Sequence, residues 1–185
     1  MIRYRRADPG DAEAIARVHL QSWRETYTGL LPDELIHAKT AAERATAWRN
    51  SLLAAATNVG AQHHALLAYR EQKLVAFGSF GPQRNHEIAA SGFAGEFSAK
   101  YVLQCAQRCG IGRTLMALMA AELLLDGFRS ATVIVLRDNG PARQFYEHIG
   151  GAVLTERLEN RGSITLPEVV YAWSELTGMF APIDP

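Results

Sequence analysis

Cysteine is nearly missing from this chain. The only two, Cys105 and Cys109, stand four residues apart in 185. That is too few for a disulfide framework and, without a neighbouring Cys/His pair, too few for a structural zinc site. Net charge is missing too: 19 Lys and Arg balance 19 Asp and Glu. No global field therefore favours nucleic acid or an anionic membrane. No apolar run approaches the ~20 residues of a membrane-spanning helix, and no basic-plus-apolar leader precedes the first alternating segment. Repeats and low-complexity linkers are absent as well. These absences point to a cytoplasmic, reducing compartment and to partners other than nucleic acid or membrane. What remains is ordinary, with 48% hydrophobic and 21% charged residues. Such a chain builds a sizeable core, and residues 1–185 are read as one domain.

Ile2 to Arg6 alternates apolar and polar residues, as a short strand does. Asp8-Pro9 then signals a helix start, and Ala12, Ile15, Ala16, His19 and Trp23 recur at helical spacing. A further helix is expected over Ala42 to Leu53. His64 to Arg70 and Lys73 to Phe80, joined by Glu71-Gln72, predict a hairpin. Gly81 to Gly95 is polar and glycine-bearing, hence a loop, and Glu96 to Leu103 a strand. Ile111, Leu115, Leu118 and Leu125 mark a helix face that Gly127 ends. Thr132 to Leu136 reads as a buried, fully apolar strand. Asn139-Gly140-Pro141 opens a last helix ending at Gly150, before strands over Ala152 to Arg157 and Glu168 to Ser174. The expected fold is α/β (α+β): a single mixed, mainly antiparallel sheet of about seven strands with helices on both faces.

Between the strand at Glu96 and the helix at Ile111 lies Gln107-Arg108-Cys109-Gly110-Ile111-Gly112. A strand, a glycine turn and a helix make an anion site. The first helical N–H groups lack internal partners, the dipole is positive there, and glycine lets the backbone approach a phosphate. Arg108 and Arg113 add charge at its rim. A P-loop needs Gly-Lys-Ser/Thr, but Gly112 is followed by Arg113-Thr114; a dinucleotide fingerprint needs glycine where Leu115 stands. A purely structural turn stays open on these residues alone.

A second motif follows the next strand: Asn139, Ala142, Phe145-Tyr146-Glu147 and Gly150. With both in place, the chain resembles the GNAT superfamily of acetyl-CoA-dependent N-acetyltransferases. Gln107 to Gly112 matches its Gln/Arg-x-x-Gly-x-Gly/Ala signature, and Asn139 to Gly150 its Asn-x-x-Ala-x-x-Phe-Tyr-Glu-x-x-Gly helix. Ile2-Arg3, Asp8, Asp11-Ala12, Ser22-Trp23-Arg24 and Gly29-Leu30-Leu31-Pro32 also look like many bacterial members. The chain departs from the pattern at Gln104, where a proline is common, and at Ala106, where an aromatic is usual.

The resemblance implies acetyl-CoA as cosubstrate and no metal. It implies that Tyr101, Val102 and Leu103 pair with the pantetheine and supply a backbone N–H to the thioester carbonyl, a contact typically worth ~3 kcal/mol of barrier. It implies that Gln107, Arg108, Cys109, Gly110, Ile111, Gly112, Arg113 and Thr114 hold the phosphates. Tyr146 is the candidate general acid for the departing sulfur, against a plain core aromatic. Asn139 reaches the pantetheine or merely caps its helix. Glu96 is the candidate base, acting through a water, against a solvated strand-end carboxylate. Arg24, Glu25 and Tyr27 are candidate acceptor contacts, and Phe93, Arg157 and Arg161 border the same expected mouth. His19 reads as a satisfied core histidine, and His63, His64 and His86 suggest no site. Cys105 and Cys109 read as small space-filling residues rather than a regulatory pair.

The expected activity is acetyl transfer to an amine, first of a small molecule. Protein acetylation and a non-catalytic acyl-CoA sensor stand as alternatives. Ile134 occupies the place of a glutamate found in ribosomal-protein N-terminal acetyltransferases, which counts against that branch. A homodimer through the edge of the last strands is compatible with the pattern but not required by it.

Overall fold

The computed structural model of the protein describes residues 1–57 and 63–177. Its strands are β1 (Ile2–Arg6), β2 (His64–Arg70), β3 (Lys73–Pro82), β4 (Gly95–Val102), β5 (Ala131–Leu136), β6 (Ala152–Arg161) and β7 (Ile164–Trp173). Its helices are α1 (Ala12–Tyr27), α2 (Asp33–Ile36), α3 (Ala41–Thr57), α4 (His86–Ala90), α5 (Ile111–Leu125) and α6 (Gly140–His148). The strands form one open seven-stranded sheet in the order β1-β2-β3-β4-β5-β7-β6. Pairing is antiparallel for β1/β2, β2/β3, β5/β7 and β6/β7, and parallel for β4/β5. The mixed, mainly antiparallel sheet is the one the pattern predicts.

The chain divides into two compact units, Met1–Gly81 with Ala99–Met119, and Pro82–Ser98 with the chain from Ala120 onward. In the first, Asp8 and Asp11 form a reciprocal cap ahead of α1. Asp8 accepts from the Gly10 N–H at 2.8 Å, and Asp11 from the Asp8 N–H at 2.9 Å. Arg5 of β1 donates to both oxygens of Asp11 at 2.7 and 2.6 Å and to the Tyr69 hydroxyl at 2.8 Å. Burial opposes ionisation of Asp11, but the hydrogen bonds from Arg5 and the Asp8 backbone prevail and hold its carboxyl below the usual range. Ile15 and Val18 of α1 and Leu52 of α3 pack on Ala65, Leu67, Phe77 and Leu103. At Gly78 a Cβ would lie 2.6 Å from the Met119 sulfur, so glycine lets α5 sit close on β3.

In the second unit, β7 is the apolar centre, with Val169, Val170 and Tyr171 fully buried, and it pairs along β5 on one side and β6 on the other. Phe97 and Tyr146 pack edge-on against Trp173, with centroids 5.6 and 6.1 Å away.

Four expectations are corrected. Gly81 to Gly95 is not all loop: β3 runs on to Pro82, and α4 forms because Asn85 accepts from the N–H groups of Glu87 and Ile88. In α5, Leu118 and Leu125 are exposed; the buried stripe is Ile111, Leu115, Met116, Met119, Ala120 and Leu123, the spacing a helix gives. β5 is not buried throughout, since Ile134 is 36% exposed. β6 and β7 are longer than predicted, ten residues each, because the hairpin continues to a turn at Gly162.

Candidate active site

β4 leads through one 3-10 turn (Gln104–Ala106) into the glycine segment. Arg108 has a φ of 59° and Gly110 of 76°. Left-handed residues close together turn successive N–H groups to one side, a shape that receives anions. For arginine that conformation is strained, and such outliers persist where something depends on them. The Gly110 carbonyl accepts from the Thr114 N–H at 3.0 Å, so α5 begins there and the N–H groups of Ile111, Gly112 and Arg113 lack intrahelical acceptors. Gln107, Arg108, Cys109 and Gly110 are all exposed, and nothing lies within 4 Å of where a Gly110 Cβ would stand. The turn is pinned from behind: Gln107 Nε2 donates to the Val102 carbonyl at 3.0 Å and Cys109 Sγ to the Gln107 carbonyl at 3.3 Å. Cys105 and Cys109 are free and exposed, which corrects the space-filling reading.

Just past β4, the Leu103 N–H donates to the Val75 carbonyl at 2.9 Å. Strand groups alternate in direction, so the Val102 N–H faces away from β3 while that of Leu103 is used within the sheet. The Lys100 ammonium, desolvated by burial, is drawn down to about 7. The sequence pattern gives no signal for this, since a lone lysine in a strand reads as a solvated residue.

Of the segment at the end of α1, Glu25 has a structural task. Its Oε2 accepts from the Gln104 N–H at 2.8 Å, tying α1 to the start of the turn after β4. Tyr27 packs on Trp23 at 4.4 Å between centroids, and Arg24 is exposed. Trp23 in turn lies 6.4 Å from Tyr101, so this segment and β4 meet through an aromatic contact. His19 sits among Trp23, Trp48, Phe77 and Tyr101 at 4.8–6.0 Å between centroids. Desolvation first, then Arg44 and Lys39, lower its pKa to about 3, so the ring is neutral. It is a buried histidine, as the spacing suggested, but it does not stand alone: Arg44, buried beside it, is a group the sequence reading passed over.

In the second unit Glu96 is buried and held by Arg84, whose N–H donates at 3.1 Å and whose Nε donates at 2.5 Å. It is thus an ion-paired carboxylate rather than a solvated strand end. Asn139 is buried and caps α6, accepting from the Ala142 N–H at 3.2 Å. Tyr146 is 5% exposed, its ring 5.9 Å from Tyr171. Arg157 pairs with buried Glu168 at 3.1 Å, and burial leads in raising the Glu168 carboxyl above its ordinary value. Among the described residues no cluster of His, Cys, Asp and Glu is placed to hold a metal ion, and no helix is long and apolar enough to cross a membrane.

A model of the acetyltransferase (GNAT) family matches residues 19–151, well over half the chain and spanning both motifs. The chain belongs to this family. An uncharacterized N-acetyltransferase of Bacillus subtilis, YuaI, is 32% identical over 181 residues, which cover 97% of this chain and 96% of that one. Solved structures share the GNAT fold at lower identity. The PaiA N-acetyltransferase of Thermoplasma acidophilum, in complex with coenzyme A, gives a TM-score of 0.70 at 20% identity, over 91% of this chain and 98% of that one. The yncA protein of Salmonella typhimurium, with acetyl-CoA, gives 0.70 at 16%, over 100% and 99%. Enzyme class follows from membership: this GNAT chain is an N-acetyltransferase.

Proposed function

We propose that the protein transfers an acetyl group from acetyl-CoA to the amine of a small molecule, with residues 1–185 acting as one acetyltransferase domain. The observation that carries this is the turn at Arg108–Gly110. It is exposed, holds an arginine in a left-handed conformation, and opens onto the unpaired N–H groups that start α5. An exposed turn with open space beside Gly110 fits a pyrophosphate, and solved relatives in the same fold carry coenzyme A and acetyl-CoA.

In this reading the N–H groups of Ile111, Gly112 and Arg113 take the phosphate oxygens, with Arg108 and Arg113 adding charge and Gln107, Cys109 and Thr114 shaping the turn. Tyr101, Val102 and Leu103 line the pantetheine, and the outward-facing Val102 backbone is the member free of the β3 ladder. Acetyl-CoA supplies the activated acyl group as a thioester. Tyr146 gives its hydroxyl proton to the departing sulfur, a transfer that is uphill by only ~1.5 units between ordinary phenol and thiol pKa values. Asn139 sets the start of the helix that carries Tyr146. Glu96 accepts the amine proton through a water, its carboxylate aimed by Arg84. Arg24 and Tyr27 face the acceptor, and Glu25 acts on it indirectly by fixing the Gln104 turn. The exposed free thiols of Cys105 and Cys109 suit a reducing, cytoplasmic setting.

The test of acceptor class is thiol release measured against two panels, small amines and lysine-bearing peptides. Faster turnover of small amines supports the reading; turnover confined to peptides transfers the activity to proteins.

A further inference from the structure

Arg44 of α3 is 8% exposed, yet no carboxylate among the described residues lies within ion-pair distance of it. A guanidinium offers five N–H donors and no acceptor, and burying it without an anion is unfavourable. Apart from Tyr101, whose hydroxyl oxygen favours the charged guanidinium, what surrounds it is more donors. Its Nη1 lies 3.2 Å from His19 Nε2, and its Cζ lies 5.1 Å over the Trp23 ring, which offsets part of the charge. The other nitrogen of His19, Nδ1, faces the Trp48 indole N–H at 3.1 Å. A neutral imidazole has one N–H and one lone pair, whereas arginine and tryptophan only donate. Whichever tautomer His19 adopts, one of its nitrogens therefore presents hydrogen to a donor.

The surplus extends further. Arg44 Nε and Trp23 Nε1, which only donate, are buried without a partner, as is the Ser22 hydroxyl, which can donate or accept. Arg24 and Lys39 add positive field to the same cluster. The acidic residues next to these in sequence are engaged elsewhere: Glu25 by Gln21 and the Gln104 N–H, Glu43 by Thr40. One buried planar fork between aromatic walls matches a flat carboxylate with an apolar body; a phosphate dianion calls for more than one buried cation. Tyr101 of β4 is one of those walls, 4.8 Å from His19.

We propose that Arg44, with His19 and Trp23, receives a carboxylate of the acceptor, so that the substrate is an amine that also carries a carboxylate, an amino acid or a related amino-organic acid. The inference rests on the acetyl-transfer reading for its assignment to the acceptor. A carboxylate supplies acceptors to the donors left without one: His19 then carries its hydrogen on Nε2, donates to the anion beside Arg44, and takes the Trp48 N–H on Nδ1.

The experiment titrates the protein with N-acetylphenylalanine and N-acetylglycine and with their carboxamides, followed by tryptophan fluorescence, so that no turnover is needed. The expected result is at least tenfold tighter binding of a carboxylate than of its amide. Arg44→Gln is expected to abolish that preference and Arg44→Lys, which keeps the charge without the fork, to reduce it at least fivefold, in samples whose melting is followed in parallel. Equal binding of acid and amide, binding of neither, or an undiminished preference in a folded Arg44→Lys protein overturns the proposal. Acetyl-CoA titrated into the same samples separates the two readings. Binding there with no carboxylate preference removes only the substrate class, and a carboxylate preference without acetyl-CoA binding keeps the carboxylate site but removes the acetyl-transfer reading and with it the assignment to the acceptor.

Discussion

Tyr146 is buried among Phe145, Tyr171 and Trp173, so burial by itself says core. The two roles separate experimentally because phenylalanine keeps the ring and removes only the hydroxyl. Tyr146→Phe is expected to lower kcat by about 10²-fold, the scale of a lost general acid, with acetyl-CoA affinity unchanged; a kcat within twofold of the parent returns Tyr146 to packing. His19 gives a pH prediction. Its pKa falls from 6.5 unfolded to about 3 folded, so the native state stays neutral while the unfolded chain takes a proton. Stability is therefore complete above pH 6.5 and falls below it. By pH 5 the loss amounts to about 2 kcal/mol at 1.36 kcal/mol per unit. Asp11 adds nothing in this window, because its depressed carboxyl matters only below the ordinary carboxylate range. Urea titrations at pH 7.5 and 5 are expected to show a stability loss in the parent that exceeds the loss in His19→Gln by about 2 kcal/mol, the remainder belonging to other groups such as Lys100. At this scale motif and position single out Tyr146, Asn139 and Glu96 as candidates. The sequence hid Arg44 and Lys100, because an arginine in a helix and a lysine in a strand look solvated until a structure shows what packs over them.

Among the elements, the turn before α5 is where the sequence was most legible, since its signal is local: Gly110 and the start of α5 stand where the glycine spacing put them. α4 was hidden because five residues are too short for a periodicity, and only the Asn85 cap marks it. The face of α5 was misread because leucines lie all round that helix and hydrophobicity alone does not choose among them. Two glycines test the turn against a matched control. Gly110 and Gly162 both have positive φ, at 76° and 65°, and both have open space where a Cβ would stand. Either one changed to alanine is expected to cost about 1 kcal/mol through left-handed strain. Only Gly110→Ala is expected also to weaken acetyl-CoA binding, by tenfold or more in calorimetry, because the proposed phosphate contact lies only there. Equal affinities for the two variants would detach the turn from the cosubstrate.

For the whole molecule, strand count, mixed direction and family were readable because alternation, two spaced motifs and the order of elements each repeat the same message. What could not be read is which side chains meet from distant parts of the chain. Glu96 finds Arg84 across α4, and His19 finds Arg44 and Trp48 across 25 and 29 residues. Hence the chemistry common to the fold was legible and the acceptor was not. The central claim, acetyl transfer from acetyl-CoA, is tested most directly by calorimetric titration with acetyl-CoA, followed in the same cell by thiol release on adding amines. The account predicts micromolar, one-to-one binding and thiol release that depends on the amine. Absence of binding at millimolar acetyl-CoA in a folded sample would contradict it.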